Sequence, residues 1–276
     1  MSRRCLLGVP IRSLVDETHM PPAFSAPSRP AALVTGGARR IGRAIVLTLV
    51  HAGYAVAIHA NRSLTAAEEL RDQIARDGGP AGVVAADLAD HDEVLGLVPA
   101  AVMAIGPLTL LVNNASEFEP DEIGHLDRDR FDHHFAVNLR APLFLAQTFA
   151  AQAPAGGAIV NLLDQRVYRP TPRFLSYGLT KSALHVATTT LAQALAPHVR
   201  VNAVAPGPTL PSRRQDVETF ARYSAAMPLG HGPTPEEVAD AVLFLARANN
   251  ITGETIAVDG GQHLSWQAIR GACNEE

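Results

Sequence analysis

The chain has 276 residues, 47% of which are hydrophobic, and a formal net charge of −4 at pH 7. Such a chain can bury one sizeable core, so we expect a single large α/β domain and no second full domain. The small charge and the absence of any Lys/Arg block give no electrostatic reason to propose nucleic acid or an anionic membrane as a partner. No run approaches the roughly 20 apolar residues that a membrane-spanning helix needs.

From Ala31 onward, strand and helix patterns alternate. The predicted strands are 31–35, 54–58, 81–86, 108–112, 158–163, 199–204 and 254–258. The predicted helices are 40–51, 64–77, 91–104, 128–153, 175–196 and 235–246. Pro99 is a reason to doubt the continuity of the third helix. Seven strands with intervening helices predict a doubly wound parallel sheet, with ligands bound at the carboxyl ends of the strands.

The two ends of the chain differ from the rest in composition. Residues 1–29 contain several prolines and serines and lack apolar periodicity, so we expect a dispensable N-terminal tail, with Met20 as an alternative start. Residues 268–276 form a predicted C-terminal tail. The folded domain is therefore expected to span residues 30–267.

The cysteines and histidines indicate neither a disulfide nor a metal site. Cys5 and Cys273 lie in the two tails without a recognisable metal or redox motif, so we expect no disulfide and a cytoplasmic location. The paired His133 and His134 have no third ligand at useful spacing, and the other histidines are scattered among different elements. We therefore expect no metal.

A glycine-rich turn follows the first predicted strand. Gly36 and Gly42 bracket the segment that includes Arg40 and Ile41, directly before the first predicted helix. This strand, turn and helix layout is typical of a Rossmann-type dinucleotide site, where the N–H groups of the helix N-terminus favour a pyrophosphate.

The end of the second predicted strand indicates which dinucleotide binds. An NAD site has an Asp or Glu there for the ribose 2′-hydroxyl, whereas this chain has Asn61, Arg62 and Ser63. A cation and a hydroxyl suit a 2′-phosphate, so we expect NADP(H). The alternative interpretation is a solvated loop arginine.

Candidate acid/base residues follow later in the chain. Tyr177 and Lys181 are four residues apart and thus share one helix face, where the ammonium can bias the proton of the phenol. Asp164 directly follows a predicted buried strand, which would deliver a carboxyl group to the same place.

These residues resemble the short-chain dehydrogenase/reductase family over about residues 31–266. The motifs that match in order and approximate spacing are Thr35-Gly36 with Gly42, Asn113-Asn114-Ala115, Asn138, Tyr177 with Lys181, and Pro206-Gly207. Two positions depart from the common pattern, since Arg40 replaces the usual middle glycine and Asp164 the usual catalytic serine. Both departures are shared with the pteridine reductase branch, as are the segment 59–63 and Phe118.

The resemblance implies roles for individual residues. Tyr177 would donate a proton, Lys181 would stabilise the phenolate, and Asn138 would hold the proton relay. Phe118 would form one side of a slot that holds a pterin against the nicotinamide, and Phe174 would line the same slot. The substrate site would comprise Arg40, Phe118, Asp164, Phe174 and Tyr177. The cofactor site would comprise Gly36, Arg40, Ile41, Gly42, Asn61, Arg62, Ser63, Asp87, Leu88, Asn114, Ala115, Tyr177, Lys181, Pro206 and Gly207.

Asp164 bears on the choice of substrate. A carboxylate beside Tyr177 would repel the forming phenolate unless it is protonated or bonded to a basic substrate nitrogen. A pterin offers such nitrogens, so the leading hypothesis is an NADPH-dependent reductase of pterins or dihydropterins, including dihydrofolate. A carbonyl reductase for 3-oxoacyl thioesters or sugars and a non-catalytic NADP(H)-sensing protein remain as alternatives. By resemblance we also expect a homotetramer that assembles through the helices 128–153 and 175–196.

Overall fold

The structure is a computed structural model that describes residues 29–212 and 214–265. The predicted tails lie outside these residues, apart from Arg29. The strands are β1 Ala31–Val34, β2 Ala55–Ala60, β3 Ala81–Ala85, β4 Leu110–Asn113, β5 Gly157–Leu162, β6 Val199–Pro206 and β7 Thr255–Val258. They form one parallel sheet in the order β3-β2-β1-β4-β5-β6-β7, which confirms the predicted doubly wound topology.

Helices cover both faces of the sheet. In the described part of the chain they are α1 Arg40–His51, α2 Leu64–Arg76, α3 His91–Ile105, α4 Arg128–Phe135, α5 Ala141–Gln152, α6 Leu175–Leu195, α7 Val217–Ala225 and α8 Pro235–Arg247. The core on one face contains α1, α2 and α8, and the core on the other contains α3, α5 and part of α6. Side chains of one strand alternate between the faces, so Val34 of β1 joins the first core and Leu33 the second.

The predicted helix 128–153 is present but not uniform. A π-helical turn, Ala136–Arg140, separates α4 from α5. Pro142 lies at the start of α5 and cannot donate an N–H to the carbonyl of Asn138, which favours a locally widened turn. Asn138 lies inside this turn. In contrast, α3 continues through Pro99 despite the missing N–H.

Helix α7 was not predicted from the sequence. The carboxylate of Asp216 caps its first turn by accepting a hydrogen bond from the N–H of Thr219, at 2.8 Å. The helix has no fully buried residue, although its sequence is amphipathic. It follows the loop that leaves β6, next to the carboxyl edge of the sheet.

Candidate active site

The glycine-rich turn packs too closely for side chains. Gly36 has φ +62°, which glycine adopts without strain. A Cβ on Gly42 would lie 2.1 Å from the carbonyl oxygen of Gly36 and 2.7 Å from Nδ2 of Asn114. Ile41 lies between Arg40 and Gly42 in the first turn of α1. The free N–H groups of α1 thus begin directly beyond the carboxyl end of β1, where the sequence predicted a pyrophosphate.

Arg40 is held in a strained conformation at the position where the family usually has glycine. Its φ is +53°, which costs a non-glycine residue about 1–2 kcal/mol. Its guanidinium donates hydrogen bonds to the carbonyl oxygens of Leu210 (3.2 Å) and Pro211 (3.0 Å). Arg40 therefore ties the glycine-rich turn to the loop that follows β6.

His59 supports the same turn, a role that the sequence analysis missed. The N–H of Gly36 donates to its Nδ1 at 3.1 Å, so Nε2 carries the proton and donates to the carbonyl of Ala86 at 3.0 Å. Burial lowers the pKa of His59, which favours this neutral form. The ring thereby joins the turn to the end of β3.

The other predicted cofactor residues of this half lie at neighbouring strand ends. Asn61 and Arg62 are exposed in the turn after β2, and Ser63 directly precedes α2. Asp87 and Leu88 follow β3, with an oxygen of Asp87 accepting the N–H of Ala89 at 2.9 Å. These positions line the edge of the sheet beside the glycine-rich turn.

The end of β4 is bonded to the end of β1. The hydroxyl of Thr35 accepts the N–H groups of Asn114 (2.9 Å) and Ala115 (3.0 Å), and Nδ2 of Asn114 donates to the carbonyl of Thr35 at 2.8 Å. Ligands of doubly wound folds bind at this switch point between β1 and β4. On the far side, Pro206 ends β6, and a Cβ on Gly207 would lie 2.7 Å from Cα of Asp259.

Tyr177 and Asp164 are in direct contact. The Tyr177 hydroxyl donates to Oδ2 of Asp164 at 2.9 Å, although the two residues come from α6 and from the end of β5. Lys181, one turn further along α6, donates from Nζ to the carbonyl oxygen of Leu162 at 2.8 Å. The structure thus brings together the three residues that the sequence selected for acid/base chemistry.

Lys181 is the only lysine in the chain. Its side chain is 2% exposed, and burial lowers its pKa from 10.5 to about 8, against the opposing effect of Asp164. The ammonium therefore remains charged at neutral pH and becomes neutral under mildly alkaline conditions.

Arg166 adds a cation that the sequence analysis did not identify. Its backbone N–H donates to Oδ1 of Asp164 at 2.8 Å, and its Nη1 lies 3.2 Å from Oδ2. From the sequence, the expected compensation for the Asp164 charge was protonation or a basic substrate nitrogen. The structure provides a third compensation, a guanidinium from the chain itself.

Asn138 organises the segment after β4. Its Nδ2 donates to the carbonyl of Glu117 at 2.9 Å, and its Oδ1 accepts the N–H of Glu117 at the same distance. This reciprocal pair fixes the backbone directly before Phe118. Asn138 is also 3.4 Å from the hydroxyl of Thr180, which precedes Lys181 in α6.

Phe118 and Phe174 form a parallel stack beside Tyr177. Their ring centroids are 4.3 Å apart with an interplanar angle of 8°, and the Phe118 ring meets that of Tyr177 edge to face at 4.7 Å. Phe174 is 1% exposed, so its ring lies behind Phe118, which is only partly buried. Phe174 also has φ +55° at the N-cap of α6.

Arg214 links two loops at the stack. Its guanidinium donates to Oε2 of Glu119 at 2.8 Å and to the carbonyl of Phe118 at 3.1 Å. The loop after β6 is thereby attached to the loop that carries Phe118. The neighbouring Arg213 lies outside the described residues.

A buried polar chain holds the Phe118 loop on the start of α6. The N–H of Glu119 donates to Nε2 of His134, whose Nδ1 donates to the hydroxyl of Ser176, and this hydroxyl donates to Asp121. Burial lowers the pKa of His134 and favours its neutral form. None of these residues was predicted to contribute to the site, because their spacing matches no catalytic or metal-binding motif.

Neither a membrane span nor a metal cluster is found in residues 29–212 and 214–265. No helix there is long and apolar enough to cross a membrane. No group of three or more His, Cys, Asp or Glu side chains in those ranges is arranged to hold a metal ion.

The fold and the site define the class of protein. The chain belongs to the short-chain dehydrogenase/reductase family of oxidoreductases, and residues 36–263 match the sequence model described as enoyl-(acyl carrier protein) reductase. The pteridine-reductase-like resemblance is also supported by solved relatives. FolM alternative dihydrofolate reductase 1 from Brucella canis, complexed with NADP, is 50% identical, covers 88% of this chain and 97% of its own, and has a TM-score of 0.84.

Two further relatives are a second FolM protein and a sugar reductase. The FolM protein from Brucella suis, also in complex with NADP, is 51% identical over 87% of this chain and 97% of its own, with a TM-score of 0.84. The L-xylulose reductase of Mesocricetus auratus is 36% identical over 241 residues, which are 83% of this chain and 95% of the relative. The family therefore includes sugar reductases at lower identity.

Proposed function

We propose that this protein is an NADPH-dependent reductase of pterins or dihydropterins, with Tyr177 as the proton donor. The observation that carries the proposal is the aromatic stack of Phe118 on Phe174, which contacts Tyr177 directly. A planar heterocycle gains free energy by stacking on such a wall. The similarity to two FolM dihydrofolate reductases at about half identity supports the same substrate class.

The site fits NADP(H), and the prediction of this cofactor is confirmed by the relatives solved with it. The crowded Gly42 lets the N-terminus of α1 approach a pyrophosphate. Arg62 and Ser63 would hold the 2′-phosphate, and Asn114 and Ala115 would also contact the cofactor. The cofactor, when bound, supplies the hydride.

The residues of the chain supply the proton and its electrostatic environment. Tyr177 gives its phenolic proton to the substrate heteroatom that becomes negative, which is general acid catalysis. The Lys181 ammonium, fixed by the carbonyl of Leu162, stabilises the phenolate that remains. Asp164 accepts the Tyr177 hydroxyl hydrogen in the structure and thereby orients the phenol.

A carbonyl reductase is the second candidate. It is favoured by the similarity to L-xylulose reductase and by the Arg166 contact, because a compensated Asp164 no longer requires a basic nitrogen on the substrate. The two candidates share the cofactor and Tyr177 and differ in the use of the aromatic stack. A sugar has no planar π-system to stack on Phe118.

The deciding experiment measures NADPH oxidation with dihydropterins, dihydrofolate, keto-esters, L-xylulose and buffer alone. We expect turnover of the dihydropterins. In the Phe118→Ala variant their KM should rise by about 10-fold, since stacking of a base on an aromatic side chain contributes about 1–3 kcal/mol. Phe131→Ala is the matched control, because it removes a ring from a separate stack on α4.

The possible results separate the hypotheses. Turnover of carbonyl substrates alone, unaffected by Phe118→Ala, would establish the carbonyl reductase instead. Tight NADPH binding without oxidation of any substrate would favour the non-catalytic alternative.

A further inference from the structure

Arg166 contacts the Asp164 carboxylate in a nearly dry environment. The side chains of Arg166 and Asp164 are only 12% and 15% exposed. Oδ2 of Asp164 lies 3.2 Å from the guanidinium and 2.9 Å from the Tyr177 hydroxyl, so cation and phenol share one oxygen. In such a place a carboxylate needs a countercharge, because little water screens it.

The aromatic rings do not account for the position of Arg166. Its guanidinium carbon is 5.5 Å from the centroid of Phe118 and 5.3 Å from that of Phe174. Because the rings are parallel and stacked on each other, a point almost equidistant from both centroids lies beside the stack, near the ring edges. Ring edges carry positive partial charge and attract cations poorly. The contact with Asp164 is a direct ion pair, made at the oxygen that also accepts the Tyr177 hydroxyl.

We propose that Arg166 is a positioning residue of the acid/base site, which supplies the countercharge of Asp164 and keeps this carboxylate turned toward Tyr177. When Tyr177 gives up its proton, negative charge forms on an oxygen next to Oδ2 of Asp164. The guanidinium at the same Oδ2 offsets the resulting repulsion. The inference rests on the proposed function only in taking Tyr177 as the proton donor, and not in the identity of the substrate.

The test is a double-mutant cycle of Arg166→Gln and Asp164→Asn, run on any substrate that the wild type reduces. We expect Arg166→Gln alone to lower kcat by about 30-fold, with NADPH affinity unchanged. This is less than the roughly 10²–10⁴-fold loss of an acid or base itself, because Arg166 acts through Asp164 and transfers no proton. In the Asp164→Asn background, the same change should cost less than about 3-fold, because no carboxylate remains to be balanced. Arg166→Lys should restore part of kcat by keeping the charge.

A purely structural role for Arg166 predicts different results. It gives the same loss in both backgrounds and no rescue by lysine, and either result overturns the proposal. Arg128→Gln is the control for loss of an arginine, since that side chain is 91% exposed on α4. If Arg166→Gln does not fold, the double variant must fold, because it lacks the unbalanced carboxylate; failure of both variants also refutes the idea.

A second readout is independent of turnover. Because Lys181 is the only lysine, ¹⁵N-lysine labelling gives one side-chain ammonium signal whose titration can be followed by NMR. Asp164→Asn should lower the pKa of Lys181, because it removes the carboxylate that raises this pKa. Arg166→Gln should shift the Lys181 pKa only through Asp164, so its effect should be present in the wild-type background and absent in the Asp164→Asn background. A Lys181 titration that does not respond to Arg166→Gln would contradict the proposal even if the protein reduced none of the substrates tested. Turnover of carbonyls alone would instead refute only the pterin reductase.

Discussion

Burial of the charged Lys181 side chain should lower the free energy of unfolding of the protein. The ammonium is 2% exposed and keeps its charge at neutral pH, although burial lowers its pKa from 10.5 to about 8. Each pKa unit corresponds to about 1.4 kcal/mol, so the 10.5 − 8 difference makes the charged side chain cost the folded state about 3 kcal/mol. Lys181→Met removes this charge at similar length but also removes the hydrogen bond to Leu162, which contributes about 1 kcal/mol.

The expected result is a variant that is more stable and inactive. At pH 7 the free energy of unfolding should rise by about 1–2 kcal/mol, and kcat should fall by about 10²-fold or more. The sign follows from the lowered folded-state pKa: the penalty is complete below about pH 8, decreases between pH 8 and 10.5 as the folded lysine loses its proton, and disappears above that range. The advantage of the variant should therefore vanish near pH 10.5.

Urea denaturation of both proteins without added cofactor, at pH 7 and pH 10.5, measures this difference. Other groups titrate in the same range, but they are common to both proteins and cancel in the comparison. A variant less stable than wild type at pH 7, or a stability difference independent of pH, would show that burial of the ammonium is not a net cost.

Three further predictions concern the cofactor, the N-terminal segment and the assembly. Arg62→Asp should weaken NADPH binding by roughly 1.5–3 kcal/mol, the range for hydrogen bonds to charged groups, with less effect on NADH; a wild type that prefers NADH in kinetics would exclude this role. A chain that starts at Met20 should fold and turn over normally, and loss of activity with folding intact would mean that the removed segment covers the site. Light scattering should give the mass of a tetramer, which a monomeric mass at working concentration would contradict.

The sheet and most helix boundaries were predictable because their signals are local. Helix α1 begins and ends where its apolar period and the following Gly53 predicted. The π turn was not predicted, because its cause, Pro142, reads equally well as the first turn of a new helix. Helix α7 was missed although its sequence is amphipathic, because its 9 residues are fewer than the roughly 11–18 over which helical periodicity is judged.

The site was only partly predictable, because some of its residues are placed by local patterns and others by the path of the backbone after a strand. Tyr177, Lys181 and Asp164 follow from strand ends and helix faces. Arg166 and His59 act through hydrogen bonds that depend on how the backbone turns after a strand. One local signal did exist, since an Asp often accepts the N–H of the residue two positions later, and this contact brings Arg166 to Asp164.

The energetically unfavourable features of this fold lie at the candidate active site. In the described part of the chain, the non-glycine residues with positive φ are Arg40 and Phe174. Arg40 joins the glycine-rich turn to the loop after β6, and Phe174 packs behind Phe118 and begins the helix of Tyr177. Such backbone strain costs about 1–3 kcal/mol per residue and persists only where the surroundings enforce it. With the buried ammonium of Lys181, three unfavourable features thus lie at one edge of the sheet, as expected where the geometry of a site limits how stable the fold can become.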